Sequence, residues 1–130
     1  MASESNPASN TPTLKTACHC GRVEVEIPSK PDKLNQCHCT VCYKYGCLWG
    51  YFKASEVKVT IAEGAHLEKY VRSDEGGRGN ISFDRCNHCG CVVTWSKPNE
   101  QTVPNGKKGV NCRMLPLDVV EGIPKEVTTC

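Results

Sequence analysis

The feature that most constrains this chain is the grouping of its cysteines. The chain has eleven cysteines in 130 residues, and most of them fall into three short clusters. The clusters are Cys18-His19-Cys20-Gly21, Cys37-His38-Cys39-Thr40-Val41-Cys42 and Cys86-Asn87-His88-Cys89-Gly90-Cys91. Leu, Ile, Val and Phe make up only about a fifth of the chain. The apolar core is therefore thin, and cysteine chemistry is expected to supply much of the stability.

The cysteine count and the start of the chain predict a reducing environment. An odd number of cysteines cannot all pair within one chain. Residues 1–13 are polar and show neither an apolar stretch nor an Arg-rich amphipathic pattern, so no secretory or mitochondrial signal is expected. We therefore expect a cytoplasmic protein whose thiols persist as metal ligands or reactive groups. The alternative, a mature secreted fragment, is disfavoured because disulfides between such closely spaced cysteines would be strained.

Charge and hydropathy disfavour three classes of protein. The net charge is +2 and the sequence pI is about 8.0, which disfavours a strongly basic nucleic-acid binder and an acidic solvating tail. No run of 18 apolar residues occurs, so no membrane span is expected.

The spacing of the cysteines predicts zinc, which accepts thiolates readily and is often held by cysteine pairs on tight turns. Four thiolates would form a closed structural site, namely Cys18, Cys20, Cys86 and Cys89. Three more would leave one position open, as in a catalytic zinc site, namely Cys37, Cys39 and Cys42. The alternative is a second closed site with Cys47 or Cys112 as fourth ligand. Spacing alone does not decide which pairs share an ion.

Hydrophobic alternation predicts a mainly β protein. Residues 22–27 and 56–61 alternate polar and apolar side chains, which is the pattern of half-buried strands. Shorter strand candidates cover 48–52, 67–73, 81–83, 92–95 and 110–115, with at most a helical turn near Cys39 to Lys44. Residues 73–80 and 97–109 are predicted loops. The predicted organisation is a disordered leader at 1–13, a zinc-binding domain at 14–118 and a loosely packed C-terminal tail at 119–130.

Taken together, the motifs resemble the glutathione-dependent formaldehyde-activating enzyme family, which also contains centromere protein V. The resemblance rests on the order C-x-C-G, C-H-C-x-x-C, C-x-x-C-G and Val-Asn-x-Arg, and it covers about residues 16–118. It implies small packed antiparallel sheets clipped by a structural zinc on Cys18, Cys20, Cys86 and Cys89. It also implies a catalytic zinc on Cys37, Cys39 and Cys42. Tyr43 and Cys47 depart from the usual family pattern, which leaves the substrate more open than the fold.

The resemblance implies a zinc-dependent carbon–sulfur lyase or synthase that joins a glutathione thiol to an aldehyde carbon or breaks such a bond. Formation of S-hydroxymethylglutathione from formaldehyde and cleavage of a glutathione conjugate are both within this chemistry. The alternative is a non-catalytic zinc module that mediates protein or nucleic-acid interaction. The expected partner is a small-molecule thiol adduct or glutathione itself. The oligomeric state stays open, with a homodimer among the options.

Several side chains beyond the zinc ligands are candidates for roles in this chemistry. Groups that are near the second cluster in sequence and could move a proton are His38, Tyr43, Tyr45 and Cys47. Cations that could pair with the carboxylates of glutathione are Lys44, Arg72, Arg78, Arg85 and Arg113. Asn111 and Arg113 are favoured as glutathione-binding residues because they match the late strand of the family. Trp49, Tyr51 and Phe52 are interpreted as core or pocket wall, with the core favoured.

Overall fold

The computed structural model describes residues 13–72, 81–97 and 106–128. The strands are β1 (Leu14–Ala17), β2 (Val23–Ile27), β3 (Leu34–Cys37), β4 (Trp49–Lys53), β5 (Lys58–Ile61), β6 (Leu67–Val71), β7 (Ser82–Cys86), β8 (Val92–Ser96), β9 (Lys107–Asn111) and β10 (Lys125–Thr128). The α-helices are α1 (Thr40–Tyr45) and α2 (Leu117–Glu121), and 3₁₀ turns cover Ala54–Glu56 and Cys112–Met114. Neither described α-helix has the length or apolar content needed to cross a bilayer. Some of the predictions fall outside the described residues. They concern the loop at 73–80 with Arg78, the leader apart from Thr13, and Cys130.

The described strands form two sheets, which confirms the predicted mainly β class. The smaller sheet has the order β1-β2-β5, and the larger has the order β10-β3-β4-β9-β8-β7-β6. Every pairing is antiparallel except that of β10 with β3, which is parallel. The helical turn expected near Cys39 is α1, a single short helix.

The main core lies between the two sheets. In β2 the side chains of Val23, Val25 and Ile27 are buried while the glutamates between them are more exposed, as the alternation predicts. They pack with buried side chains of the larger sheet, among them Leu34 and Val110. The sulfurs of the first and third cysteine clusters adjoin this core, so a metal there would hold the two sheets together.

A second, smaller core surrounds the middle cysteine cluster. Its buried members are Cys37, Cys42, Cys47, Trp49 and Phe83. All five are aromatic or cysteine side chains, and the partly buried side chains of Val41, Ile81 and Val92 pack against them.

A buried carboxylate fixes the strands that carry the third cluster. Asp84 on β7 accepts hydrogen bonds from the hydroxyls of Ser82 at 2.8 Å and Thr94 at 3.0 Å. The ammonium group of Lys69 on β6 lies 3.1 Å from the same carboxylate. Because one side chain thus contacts three adjacent strands, it holds the register in which β7 delivers Cys86 to the metal site.

Two segments differ from the sequence-based expectation. The tail from residue 119, expected to be loosely packed, instead contains most of α2 and all of β10, and Val120 and Ile123 are buried in the main core. Strand β9 begins at Lys107, inside the predicted loop, and ends at Asn111. The two lysines that open the strand do not give the alternation of a half-buried strand, although one of them, Lys108, is only partly exposed.

Candidate metal centres and adjoining cavity

The first and third cysteine clusters meet in space at the ends of paired strands. Cys18 and Cys20 lie in the turn between β1 and β2, Cys86 ends β7, and Cys89 lies in the turn that leads to β8. In that turn Gly90 has φ +81°, a conformation that side-chain-bearing residues rarely adopt. The four sulfurs all lie within 4.8 Å of one another, so they could hold a metal ion.

The spacing of these sulfurs fits zinc. The Sγ atom of Cys20 lies 3.6 Å from that of Cys18 and 3.6 Å from that of Cys86. A tetrahedral zinc with Zn–S bonds of about 2.3 Å places its sulfur ligands about 3.8 Å apart. Disulfide sulfurs would be about 2 Å apart, and these four cysteines are free.

The surroundings of the four sulfurs also suit bound thiolates. The backbone N–H groups of Val23 and His88 point at the Cys18 and Cys86 sulfurs, each at 3.3 Å. Burial acts to raise the pKa of Cys89, but backbone N–H groups outweigh it and lower that pKa to about 6. For Cys18 burial dominates and raises the pKa to about 11. Such a mixed set becomes fully deprotonated when a cation binds.

The middle cluster forms a second group of three sulfurs at the start of α1. Cys37 ends β3, Cys39 is the N-terminal cap of α1, and Cys42 lies in its first turn, so the sulfurs converge within 4.8 Å of one another. Cys37 is disulfide-bonded in the structure, whereas Cys39 and Cys42 are free. Three thiolates therefore become available to a metal only when Cys37 is reduced.

The indole of Trp49 is directed at this second group. Trp49 is 1% exposed, and its Nε1–H has no hydrogen-bond partner of normal geometry among the described residues. The group nevertheless lies close enough to Cys42 to favour the thiolate form. Burial dominates, however, and raises the pKa of Cys42 to about 12. A buried donor without an acceptor is costly, and a metal-bound thiolate at Cys42 would supply a sulfur acceptor.

The three sulfurs line a cavity of about 130 Å³. Its other walls are the side chains of Trp49, Tyr51, Arg72, Ile81, Phe83 and Trp95. Arg72 supplies the positive charge among the described lining residues, with its Nη1 atom 4.0 Å from the Cys39 sulfur. The Tyr51 hydroxyl accepts a hydrogen bond from the side-chain amide of Asn35.

A separate cleft of about 390 Å³ brings together the predicted glutathione-binding residues Lys44, Asn111 and Arg113, with Arg85 as a further cation. Tyr45 lines the cleft and packs edge-on against Phe83, with ring centroids 5.4 Å apart. Because Phe83 lines the cavity, the cleft and the cavity adjoin at this pair of rings.

Two of the predicted glutathione-binding residues are already engaged within the protein. The Asn111 amide donates to the Val92 carbonyl at 2.8 Å and accepts from the backbone of Leu48 and Arg113. The Nε–H of Arg113 donates to the carbonyl of Gly46. Asn111 therefore ties β9 to its surroundings, while the positive charge of Arg113 still faces the cleft.

The proton-transfer candidates from the sequence are not brought to the cavity. Tyr43 is 68% exposed and stacks against His38, and neither lines the cavity. Cys47 is 3% exposed within the second core, and burial raises its pKa to about 12. Tyr51 lines the cavity instead. The sequence favours a core role for it, and its position on the cavity wall depends on the pairing of β4 with β9.

The alternative fourth ligands for the second site are also not grouped with it. Neither the Cys47 nor the Cys112 sulfur lies within 4.8 Å of all three sulfurs of the middle cluster. Cys112 belongs to the main core, where its sulfur lies against Gly50. The arrangement leaves the cavity side of the three-sulfur group without a fourth cysteine among the described residues.

Comparison with known proteins decides the family. The family model described as "Glutathione-dependent formaldehyde-activating enzyme" matches residues 13–113. The chain belongs to the glutathione-dependent formaldehyde-activating enzyme family. Members of this family are enzymes that act on formaldehyde with glutathione, so the resemblance predicted from the cysteine motifs is confirmed.

The fold has a counterpart among solved structures. A crystal structure of a Rhodobacter sphaeroides protein is similar, with a TM-score of 0.66 and 21% sequence identity. The similarity covers 87% of this chain and 100% of that chain. At this identity it shows the shared fold only. The comparison with curated proteins gives no match.

Proposed function

We propose that this protein is a zinc-dependent enzyme that makes or breaks a carbon–sulfur bond in a glutathione adduct. One observation carries the proposal: three cysteine sulfurs within 4.8 Å of one another form part of the wall of a cavity. Family membership supports the glutathione-linked chemistry. The four-cysteine group, away from this cavity, would hold a second, structural zinc. No finding favours the alternative of a non-catalytic zinc module, and the cytoplasmic location stays a prediction.

The proposed division between the two zinc sites follows from their surroundings. A zinc held by Cys37, Cys39 and Cys42 would supply a position where a substrate sulfur binds as thiolate. In the addition direction the sulfur bonds to the carbonyl carbon, the π electrons of the C=O bond move to oxygen, and the thiol proton ends on that oxygen. Cleavage reverses these changes.

The residues of the cavity would orient the reactants and hold the proton. The Nε1–H of Trp49 would stabilise the Cys42 thiolate, and the guanidinium of Arg72 would stabilise negative charge near the Cys39 sulfur. We assign the proton transfer to the Tyr51 hydroxyl because it lines the cavity. Tyr43, one of the residues suggested by the sequence, does not line the cavity.

We further propose that the basic cleft binds the carboxylates of glutathione. Lys44, Arg85 and Arg113 present three cations there, and no carboxylate side chain is among the described residues that line the cleft. Arginine and lysine are the usual protein partners of carboxylates. The Tyr45 ring of the cleft packs against the Phe83 ring of the cavity. One glutathione molecule would therefore contact both.

The test compares Cys42→Ser with Cys91→Ser in the full chain under reducing conditions. Cys91 is a free, partly exposed cysteine that belongs to neither sulfur group. We expect Cys42→Ser to keep its circular dichroism spectrum, lose one of two zinc equivalents and lose catalysis of glutathione addition to ¹³C-formaldehyde, followed by NMR. Cys91→Ser should keep both zinc equivalents and the maximal rate, because Cys91 lines the basic cleft and not the cavity. A Cys42→Ser protein as active as the parent would overturn the proposal.

A further inference from the structure

The cavity beside the three cysteines is larger and more aromatic than formaldehyde requires. Its volume is about 130 Å³, and an apolar cavity of about 150 Å³ is known to accommodate benzene. Formaldehyde has two heavy atoms and is close in size to water, whose share of liquid volume is about 30 Å³. Formaldehyde alone would leave most of the aromatic wall without a partner, forfeiting dispersion contacts.

The wall is made of rings that are already held in place. Tyr51 and Trp95 contact each other edge-on with ring centroids 6.0 Å apart, and Trp49 and Phe83 lie 6.0 Å apart. The Tyr51 ring is fixed further by the Lys107 ammonium, which lies 5.0 Å from its centroid. A flat apolar group entering the cavity would meet rings that need little reorganisation.

The strand register explains how the Trp95 ring reaches the cavity. Tyr51 on β4 and Trp95 on β8 are both paired with Gly109 of the strand between them. A Cβ atom at position 109 would lie 2.1 Å from the Trp95 Nε1 atom. The absence of a side chain at Gly109 therefore lets the Trp95 indole lie over the sheet and reach the cavity.

We infer that the carbon joined to sulfur in the substrate bears an aromatic or equally flat apolar group about the size of a benzene ring. This rests on the proposed function, since the three-cysteine group places the sulfur at one wall of the cavity. The ring would then lie among Tyr51, Phe83 and Trp95. Arg72 is the charged residue among the described lining side chains, which leaves the rest of the wall apolar.

The experiment measures binding of two stable thioethers, S-benzylglutathione and S-methylglutathione, to the reduced, zinc-loaded full chain by calorimetry. A single methylene in an apolar pocket changes recognition by about 10- to 200-fold. The benzyl compound should therefore bind at least about tenfold more tightly. Trp95→Ala should remove most of that preference, whereas Tyr70→Ala should keep it, because Tyr70 is an exposed ring of the same sheet outside the cavity wall.

A second variant keeps the test decisive if Trp95→Ala fails to fold. Ile81→Trp narrows the cavity from its wall and should weaken benzyl binding at least about tenfold more than methyl binding. Equal affinity of the parent protein for both thioethers would overturn the inference, even if glutathione addition to formaldehyde proceeds. Preferential benzyl binding without turnover of formaldehyde or benzaldehyde would support the inference while counting against the proposed function.

Discussion

Removing one sulfur of the four-cysteine group should destabilise the whole fold. Cys89→Ser replaces a thiolate ligand by a hydroxyl, which is a poor zinc ligand, while it changes the side-chain volume little. The group joins the β1–β2 turn to the end of β7, and Cys20 and Cys86 are 66 residues apart. A metal that links these positions closes a long loop and restricts the unfolded chain, as a disulfide does.

The loop length sets the size of the effect. For a single cross-link that closes a loop of this length, the chain-entropy relation gives about 4 kcal/mol at 25 °C. Native domains of this size are stable by only about 5–15 kcal/mol. Loss of the cross-link would therefore remove a large share of the free energy of unfolding, and the variant should unfold at a much lower urea concentration.

The assay combines equilibrium urea unfolding, followed by circular dichroism, with zinc content measured by mass spectrometry. Treatment of the parent protein with a strong chelator should cost a similar free energy of unfolding, about 4 kcal/mol, and Cys89→Ser should be insensitive to the chelator. Cys91→Ser is the matched control because Cys91 lies two residues away and outside the four-sulfur group. If Cys89→Ser keeps both zinc equivalents and unfolds at the same urea concentration as Cys91→Ser, the four-cysteine group does not stabilise the fold by binding zinc.

Three further outcomes are expected. Lys44→Glu should raise the glutathione concentration needed for half-maximal rate several-fold while leaving the maximal rate little changed, measured by steady-state kinetics; an unchanged KM would contradict the basic cleft assignment. Gly109→Ala should cost about 1–3 kcal/mol because a Cβ there lies 2.1 Å from Trp95, whereas Gly122→Ala meets nothing closer than 3.7 Å; equal urea midpoints would refute this. Purified without reductant, the chain should bind one zinc equivalent, and a second after reduction of the Cys37 disulfide; two equivalents without reductant would show that Cys37 is not needed.

The sequence predicts the metal groups better than it predicts the cavity. Cysteines two or three positions apart converge because a turn or the first helical turn brings them together locally, so Cys39 and Cys42 could be grouped from spacing alone. The alternation of Val23, Val25 and Ile27 likewise reports one buried face within a single strand. Both patterns involve residues close together in sequence, so they can be recognised without knowledge of the tertiary structure.

The cavity wall and strand β10 depend instead on pairing between strands that are distant in sequence. Tyr51 and Trp95 become neighbours only through Gly109, and nothing in their own segments indicates this register. Strand β10 pairs with β3, although most of the chain lies between them in sequence. The side chains of Lys125–Thr128 are mostly exposed, so β10 lacks the apolar face that marks a strand. Such contacts are set by the packing of the whole sheet rather than by the propensity of either segment.

The 66-residue separation within the four-sulfur group also has a consequence for biosynthesis. Ribosomes add about 5–20 residues per second, so Cys18 and Cys20 emerge roughly 4 to 14 s before Cys89 does. During that interval the first pair is a half-site that binds zinc weakly and is open to oxidation or to other soft metals. Zinc capture by all four cysteines would thus wait for Cys89, and a nascent chain in an oxidising medium would lose this site before it is complete.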